Sequence, residues 1–249
     1  MTEKLGEFER NKIYCMDWLE GLKKIPDNSV DLIITSPPYN IGIDYGETYE
    51  DNQESEEYKE FIKNVLLECK RVLKEKGLLG WVVGNQRNSG MPHHHYFWLK
   101  ENFEIIKEMF WYKGLYYIQG ETIFVCSKTK EYNCYYKRND GFYSNGQFST
   151  VWEMRYNKQE SREKLNHFAF FVKQLPYNFI KINTKEGDIV LDPFVGSGTT
   201  CLVAKQQNRK FIGFEINPEY VKIANKRLAQ EILIWTTITQ LNLSTHPEF

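Results

Sequence analysis

Long apolar runs and paired cysteines are missing from this sequence. No segment approaches about 18 consecutive apolar residues, and no basic start followed by a long apolar run opens the chain, so neither membrane spanning nor export is indicated. The five cysteines are odd in number and scattered, and none stands in a Cys-x-x-Cys pair. This pattern disfavours a disulfide framework and a zinc site. We therefore expect a cytoplasmic protein without a metal.

A strong charge of one sign is also missing, because the formal net charge is −1 at pH 7. Any contact with a nucleic acid would therefore come from local basic patches and not from a globally cationic surface. Hydrophobic residues make up 41% of the 249 residues and aromatic residues 15%, which is enough to bury one core. The chain length and the composition together fit a single α/β domain with insertions.

Alternating strand and helix patterns predict the fold class. Val30–Thr35 is an apolar, β-branched run, residues 58–73 have apolar side chains at helical spacing, and residues 77–84 read as a buried strand. Such a strand–helix–strand unit is typical of parallel sheets. Further segments predict an antiparallel edge hairpin, two more strands and two helices: residues 104–113 with 122–128, residues 188–192 and 210–215, and helices from Thr199 and over 218–230. The predicted fold class is α/β with a doubly wound, mostly parallel sheet.

Basic and aromatic residues are mixed between residues 128 and 165, where the regular pattern breaks. We interpret this segment as an insertion outside the sheet. Aromatic rings can stack on bases while Lys and Arg contact phosphates, so the segment is a candidate nucleic-acid contact. The alternative is a small structural subdomain with a solvated charged face.

A glycine-rich turn follows the predicted strand at residues 188–192, in the sequence LDPFVGSGTT. Gly196-x-Gly198 before a helix start brings backbone N–H groups close to a ligand, although ordinary strand-to-helix connections also contain such glycines. Thr199, and not a lysine, directly follows the last glycine, which disfavours a phosphate loop. The full G-x-G-x-x-G spacing is also missing, which disfavours a dinucleotide site. Glu215, at the end of the next strand, can accept hydrogen bonds from ribose hydroxyls. Together these features predict an adenosyl ligand without a pyrophosphate.

A second candidate site is Ser36-Pro37-Pro38-Tyr39, at the carboxyl end of the first central strand, where open α/β sheets bind ligands. The Ser36 hydroxyl and the Pro37 carbonyl are two acceptors that could take the N–H bonds of an exocyclic base amine and so direct its lone pair. The Tyr39 ring would stack on a base that has left the duplex. The alternative is a strand terminator with an incidental aromatic residue.

The order of these two motifs, with the insertion between them, resembles the beta class of permuted DNA amino-methyltransferases. The resemblance covers nearly the whole chain and implies a Rossmann-like methyltransferase fold, S-adenosylmethionine as cofactor, double-stranded DNA as substrate, and methyl transfer to N4 of cytosine or N6 of adenine. It also implies a cofactor site lined by Asp17 near the adenine, Glu215 at the ribose, and Asp192, Phe194, Gly196, Gly198, Thr199 and Thr200. His167 and Phe168 match the segment ahead of the cofactor motif, with Phe168 in place of the usual proline.

The resemblance divides the chain into a catalytic half (residues 1–128), a target-recognition insertion (129–165) and a cofactor-binding half with a C-terminal tail (166–249). Ser36 before Pro-Pro-Tyr favours cytosine, whereas aspartate at this position favours adenine. Two further hypotheses stay open, namely RNA as the substrate and a non-catalytic nucleic-acid-binding subunit that keeps the fold. A homodimer and a cognate restriction endonuclease are partners that the resemblance admits. Consecutive histidines at 93–95 point in different directions on a helix, so we do not expect them to bind metal.

Overall fold

The computed structural model describes residues 3–40, 54–84, 91–112, 120–135, 143–144, 147–148, 151–153 and 172–240. The strands in these ranges are β1 (Lys4–Leu5), β2 (Phe8–Glu9), β3 (Lys12–Cys15), β4 (Val30–Thr35), β5 (Leu73–Gly84), β6 (Glu104–Tyr112), β7 (Gly120–Ser127), β8 (Tyr143–Ser144), β9 (Gln147–Phe148), β10 (Val151–Glu153), β11 (Ile189–Asp192) and β12 (Lys210–Glu215). The helices are α1 (Trp18–Lys23), α2 (Ser55–Val72), α3 (Met91–Lys100), α4 (Gln174–Asn183), α5 (Thr199–Gln206) and α6 (Pro218–Gln240).

The main sheet has eight strands in the order β10-β6-β7-β5-β4-β11-β12-β3. Within the described residues, β7 is the strand that runs antiparallel to its two neighbours, and the other pairs are parallel. The predicted α/β class, the mostly parallel sheet and the antiparallel hairpin β6–β7 are therefore confirmed.

Helices cover both faces of this sheet and form two hydrophobic clusters. On β4, Leu32 and Ile34 belong to the cluster under α4, α5 and α6, whereas Ile33 belongs to the cluster under α1, α2 and α3. Alternating side chains on a strand point to opposite faces, so an uninterrupted apolar strand can serve both clusters. This is the three-layer arrangement expected of a doubly wound sheet.

Three of the sequence predictions need correction. The strand predicted at residues 77–84 begins earlier, because α2 ends at Val72 and β5 starts at Leu73; Gly77 lies within β5, where an added Cβ would stand 2.9 Å from the Asp31 carbonyl oxygen of β4. Helix α6 runs to Gln240 and not to residue 230, since no glycine or proline interrupts it. Val151–Glu153, predicted to lie outside the sheet, pair in parallel with Phe110–Tyr112 of β6 and so extend the sheet edge.

The short hairpin β1–β2 and the helices α1 and α4 were not predicted. Residues 41–57 are polar and rich in Gly, Asp, Asn and Glu without periodicity, a pattern that predicts a loop. Residues 41–53 lie outside the described residues, whereas Ser55–Glu57 form the first turn of α2. No helix in the ranges given above is long and apolar enough to cross a membrane.

His95 is the buried member of the run His93-His94-His95 on α3. Its side chain has no exposed surface, whereas His93 and His94 are exposed, as expected for consecutive residues on a helix. Its ring packs among those of Tyr58, Trp81 and Trp98, with centroid distances of 6.0, 6.0 and 5.1 Å. Burial lowers the pKa of His95 to about 3, and His94 acts in the same direction. The imidazole is therefore neutral in the folded protein near neutral pH.

This burial predicts a pH-dependent stability. A histidine in an unfolded chain titrates near pH 6.5, so as the pH falls below about 6.5 the unfolded state takes up a proton before the folded state does. The stability present above that pH is then lost towards about pH 3, by about 1.4 kcal/mol per pH unit. His95→Gln removes this loss. We therefore expect urea unfolding at about pH 7.5 and about pH 5.5 to show a smaller acid-induced drop in the variant than in the wild type. Equal drops would contradict the buried neutral state of His95.

Candidate active site

The carboxyl ends of the parallel strands define one edge of the main sheet. The segments that follow β4 and β11 meet there, because β4 continues to β5 on one side and β11 continues to β12 on the other. Such a reversal of strand order leaves a crevice between the two strands, which is where open α/β sheets bind ligands. We call residues 36–39 after β4 the Pro-Pro turn and residues 194–198 after β11 the glycine turn.

Thr35 and Asp192 tie the two turns together. The Thr35 hydroxyl donates to Asp192 Oδ1 over 2.8 Å, and the Phe194 N–H donates to the same oxygen over 3.0 Å. Both Thr35 and Asp192 are buried. Burial raises the pKa of Asp192 to about 6, and the hydrogen bonds from Thr35 and Phe194 oppose that rise.

The Pro-Pro turn packs its aromatic side chain against the neighbouring strand. Tyr39 is buried, and an added Cβ at Gly84 of β5 would lie 2.8 Å from its ring carbons Cδ2 and Cε2, so only glycine leaves room for the ring. The Tyr39 hydroxyl lies 2.5 Å from Ser36 Oγ. The hydroxyl of Ser36 and the ring of Tyr39 are thus held close together in the crevice.

Glu121 is a site residue that the sequence analysis missed. Because β7 is antiparallel to β5, its first residues lie at the same sheet edge, and Glu121 pairs in register with Gly84. The Tyr39 hydroxyl donates to Glu121 Oε2 over 3.5 Å. An acidic residue in the apolar strand sequence GETIFVCS was the available signal.

The glycine turn depends on positive backbone φ angles. Gly196 has φ 51° and Gly198 has φ 85°, and an added Cβ at Gly198 would lie 2.7 Å from the Ala224 Cβ of α6. Gly198 is followed by Thr199 and Thr200, which are buried in the first turn of α5. The positive φ angles account for both glycines, and the close approach of α6 is a further reason for glycine at residue 198.

Glu215, at the end of β12, faces the glycine turn. One of its carboxylate oxygens accepts the Gly196 N–H over 2.8 Å and the other accepts the Asn217 N–H over 2.8 Å. Burial raises the pKa of Glu215, and these backbone N–H groups partly offset the rise. A carboxylate offers about four acceptor positions, so Glu215 can hold the turn and accept ligand hydroxyls as well.

Asp17 and Phe194 complete this side of the crevice. The register that pairs Glu215 with Cys15 brings Asp17 to the same sheet edge, where Asp17 caps α1 by accepting the Leu19 N–H over 2.8 Å. The half-buried Phe194 ring lies 6.2 Å from the ring of Trp18. Asp17 therefore has a structural role that is sufficient to explain its position, and its contact with an adenine stays a prediction.

Arg227 of α6 is a second residue that the sequence did not reveal. Its Nη1 donates to the Ser197 carbonyl oxygen over 2.5 Å and lies 2.9 Å from Ser197 Oγ and 3.2 Å from Thr199 Oγ1. It fastens the glycine turn to α6. The predicted site residues His167 and Phe168 lie outside the described residues.

The residues brought together fit an adenosyl ligand with a cationic sulfur. The crevice holds the carboxylates of Asp17, Asp192 and Glu215 beside a glycine turn that has no lysine for a phosphate. In the part of the chain that the structure describes, no group of three or more His, Cys, Asp and Glu side chains is arranged to hold a metal ion. Across the crevice, the Pro-Pro turn supplies hydroxyl and carbonyl acceptors next to an aromatic ring.

Comparison with known proteins gives a consistent result. Residues 30–226 match the profile of the DNA methylase family N6_N4_Mtase. The chain is 33% identical over 246 residues to the type II methyltransferase M.HpaI of Haemophilus parainfluenzae, covering 88% of this chain and 74% of that protein. It is 33% identical over 247 residues to the DNA adenine methyltransferase YhdJ of Escherichia coli strain K12, covering 88% and 83%.

Solved structures agree with the fold. The PvuII DNA methyltransferase (cytosine-N4-specific) has a TM-score of 0.71 at 23% identity, over 91% of this chain and 90% of that chain. The complex of M1.HpyAVI with SAM has a TM-score of 0.64 at 25% identity, over 87% and 98%. The two motifs, their meeting across the crevice and these matches lead to one conclusion: the chain belongs to the DNA methylase family N6_N4_Mtase and is a DNA amino-methyltransferase whose cofactor is S-adenosylmethionine.

Proposed function

We propose that this enzyme methylates N4 of cytosine at a specific site in double-stranded DNA. The observation that carries the proposal is Ser36, the first residue of the Pro-Pro turn, whose hydroxyl lies 2.5 Å from that of Tyr39. In the family that the sequence resembles, serine at this position favours cytosine. A hydroxyl is uncharged and can both donate and accept, so it suits the neutral exocyclic amine of either base, and the family preference for serine is what favours cytosine.

When bound, S-adenosylmethionine would supply a methyl group on a positively charged sulfur: the amino nitrogen forms the new N–C bond, the S–C bond breaks with its electron pair going to sulfur, and the amine releases one proton to solvent. An exocyclic amine is a weak nucleophile because its lone pair is delocalised into the ring. Ser36 Oγ and the Pro37 carbonyl oxygen accept hydrogen bonds from the two N–H groups of this amine. These hydrogen bonds direct its lone pair to the methyl group. Tyr39 stacks on the extruded base.

The cofactor is held on the other side of the crevice. Glu215 accepts hydrogen bonds from the ribose hydroxyls, and its existing bond to the Gly196 N–H supports this role because it links the ribose position to the glycine turn. Asp192, Phe194, Gly196, Gly198, Thr199 and Thr200 line the methionine side. Asp17, His167 and Phe168 are further proposed contacts.

Residues 129–165 are proposed as the target-recognition insertion, between a catalytic half (1–128) and a cofactor-binding half (166–249). Its basic and aromatic side chains are suited to phosphates and bases, and the pairing of β10 with β6 supports an insertion anchored at the sheet edge. The cytoplasmic location, a homodimer and a cognate restriction endonuclease stay predictions.

Methylation of adenine N6 is the second candidate. The observation that favours it is the 33% identity to a protein named DNA adenine methyltransferase, over 88% of this chain. Both bases present an exocyclic amine, so the acceptors of the Pro-Pro turn could take hydrogen bonds from the amine of either base.

The acceptor base is tested by the product. We expect N4-methylcytosine when duplex DNA of randomised sequence is incubated with the enzyme and isotope-labelled S-adenosylmethionine, digested to nucleosides and analysed by mass spectrometry. If N6-methyladenine is the sole labelled product, the acceptor base is adenine and the assignment of cytosine is wrong. Label in RNA alone, in a parallel reaction with RNA oligonucleotides, would overturn DNA as the substrate.

Glu215→Ala is expected to weaken cofactor binding more than it slows methyl transfer. Ribose hydrogen bonds are present in the ground state and the transition state alike, so their loss raises Kd and leaves the rate at saturation less affected. A hydrogen bond to a charged group contributes about 1.5 to 3 kcal/mol, which corresponds to a Kd about 10- to 150-fold higher. Isothermal titration calorimetry measures this change.

The matched control for Glu215→Ala is Glu219→Ala, which removes an exposed carboxylate paired with Lys222 over 2.6 Å on α6. Its affinity for S-adenosylmethionine should equal that of the wild type. If both variants bind the cofactor as tightly as the wild type, Glu215 does not contact it.

Tyr39 variants separate stacking from hydrogen bonding. Tyr39→Phe loses the hydroxyl near Ser36 and Glu121, and a neutral hydrogen bond is worth about 0.5 to 1.5 kcal/mol, so the single-turnover rate should fall by less than about tenfold. Tyr39→Ala also loses a stacking contact worth about 1 to 3 kcal/mol and should be slower by a further factor of about 5 to 150.

A mismatched base pair at the target should partly restore the Tyr39→Ala rate, because an unpaired base costs less to extrude. Cofactor affinity should stay unchanged in both variants, since the glycine turn and Glu215 form that site. Equal rates for Tyr39→Phe and Tyr39→Ala on matched DNA would refute the stacking role.

A further inference from the structure

A chain of hydrogen bonds leads from the hydrophobic core to the Pro-Pro turn. Trp81 Nε1 of β5 donates to His95 Nδ1 of α3 over 3.0 Å, and His95 Nε2 lies 3.1 Å from the hydroxyl of Tyr58 on α2. The Tyr58 hydroxyl donates to the Pro38 carbonyl oxygen over 2.8 Å. Two helices and a strand thus converge on one carbonyl of the turn. We call Trp81, His95 and Tyr58 the buried triad.

The donor and acceptor roles in the triad follow from its chemistry. An indole nitrogen can only donate, so His95 Nδ1 must accept from Trp81. A neutral imidazole then carries its proton on Nε2, which donates to the Tyr58 oxygen. The single proton of the Tyr58 hydroxyl remains for Pro38. Each member of the triad therefore donates one hydrogen bond towards the Pro-Pro turn: Trp81 to His95, His95 to Tyr58, and Tyr58 to Pro38. The neutral state of His95 fits this arrangement.

Because these hydrogen bonds are buried, they restrict the positions of the three side chains. Trp81 and His95 have no exposed surface and Tyr58 is 1% exposed, so water cannot replace a lost partner. A buried polar group without a partner carries a large desolvation cost, which keeps each side chain in place. The Trp98 ring, edge-on to the imidazole at a centroid distance of 5.1 Å, limits rotation of His95.

The turn needs such a hold because of its composition. Pro37 and Pro38 have no N–H groups, so this part of the backbone can be anchored only through its carbonyls and flanking residues. The Pro38 carbonyl lies in the same planar peptide unit as the Tyr39 N–H. A hydrogen bond that fixes this carbonyl therefore fixes the orientation in which Tyr39 leaves the turn.

We propose that Tyr58 and His95 are positioning residues for methyl transfer: the buried triad orients the peptide plane between Pro38 and Tyr39 and so holds the Tyr39 ring and the Ser36 hydroxyl in the reactive geometry. The inference rests on the proposed catalytic role of the Pro-Pro turn. Neither residue touches the substrate, and both act through Pro38.

The test compares single-turnover rates at saturating DNA and S-adenosylmethionine. Tyr58→Phe, which keeps the ring and removes the donor to Pro38, should be slower by about 3- to 10-fold, while the Kd for the cofactor stays within about twofold of the wild-type value. His95→Gln can still accept from Trp81 and donate to Tyr58, so it should keep the rate within about twofold. His95→Leu, which does neither, should be as slow as Tyr58→Phe.

Tyr14→Phe is the matched control. It removes a partly buried tyrosine hydroxyl that bonds to the Glu9 backbone N–H and carbonyl over 2.8 and 3.1 Å, away from the Pro-Pro turn. It should leave the rate of methyl transfer unchanged. A rate as low as that of Tyr58→Phe would show that loss of any such hydroxyl slows the enzyme, and would overturn the positioning role.

The double variant Tyr58→Phe/His95→Leu distinguishes positioning from separate structural damage. Because His95 acts through the Tyr58 hydroxyl, the double variant should be no slower than Tyr58→Phe, whereas independent effects would multiply. Multiplied losses, or a wild-type rate for Tyr58→Phe, would refute the proposal. If His95→Leu does not fold, the comparison of Tyr58→Phe with Tyr14→Phe decides.

Failure of this inference can be told from failure of the proposed function. If Tyr39→Ala is slow and Tyr58→Phe is as fast as the wild type, the Pro-Pro turn stays catalytic and the triad has no positioning role. If Tyr39→Ala is as fast as the wild type, the assignment of the Pro-Pro turn itself is wrong, and the triad proposal falls with it.

Discussion

The hydrogen bond from the Thr35 hydroxyl to the buried carboxylate of Asp192 joins the two halves of the candidate active site. Asp192 also accepts the Phe194 N–H, so one side chain sets the spacing between the strand that ends in the Pro-Pro turn and the strand that ends in the glycine turn. Burial raises the pKa of Asp192 to about 6, so at pH values above this the carboxylate is ionised and the hydrogen bond is charge-assisted. In the proposed function, methyl donor and base amine meet within this separation.

Local chemistry made the central part of the fold and both motifs predictable. The runs VDLIIT and DIVLD are apolar and β-branched, and each ends in residues that cannot continue a strand: Ser36-Pro37-Pro38 in one case and the glycine turn in the other. The positive φ angles of Gly196 and Gly198 are a backbone requirement that the residue type itself reveals. Such features depend on near neighbours in the chain.

Features that depend on distant contacts were not predictable. The periodicity of α2 indicates that Tyr58 is buried but not that its hydroxyl bonds to Pro38, and a run of three histidines does not reveal that His95 is the buried one with Trp81 and Tyr58 as partners. Glu121 enters the site only because β7 reverses direction. The pairing of β10 with β6 escaped prediction because three residues are too few for a periodic signal.

The neighbouring strands β4 and β11 lie far apart in the chain, since the Thr35–Asp192 bond spans 157 residues. During synthesis the amino-terminal strands emerge first, and β5 can pair with only one edge of β4. The other edge presents the unpaired backbone groups of an apolar strand, a template for aggregation, until the segment containing β11 has been synthesised. The order of the two motifs thus makes the nascent chain vulnerable at the very strand that carries the Pro-Pro turn.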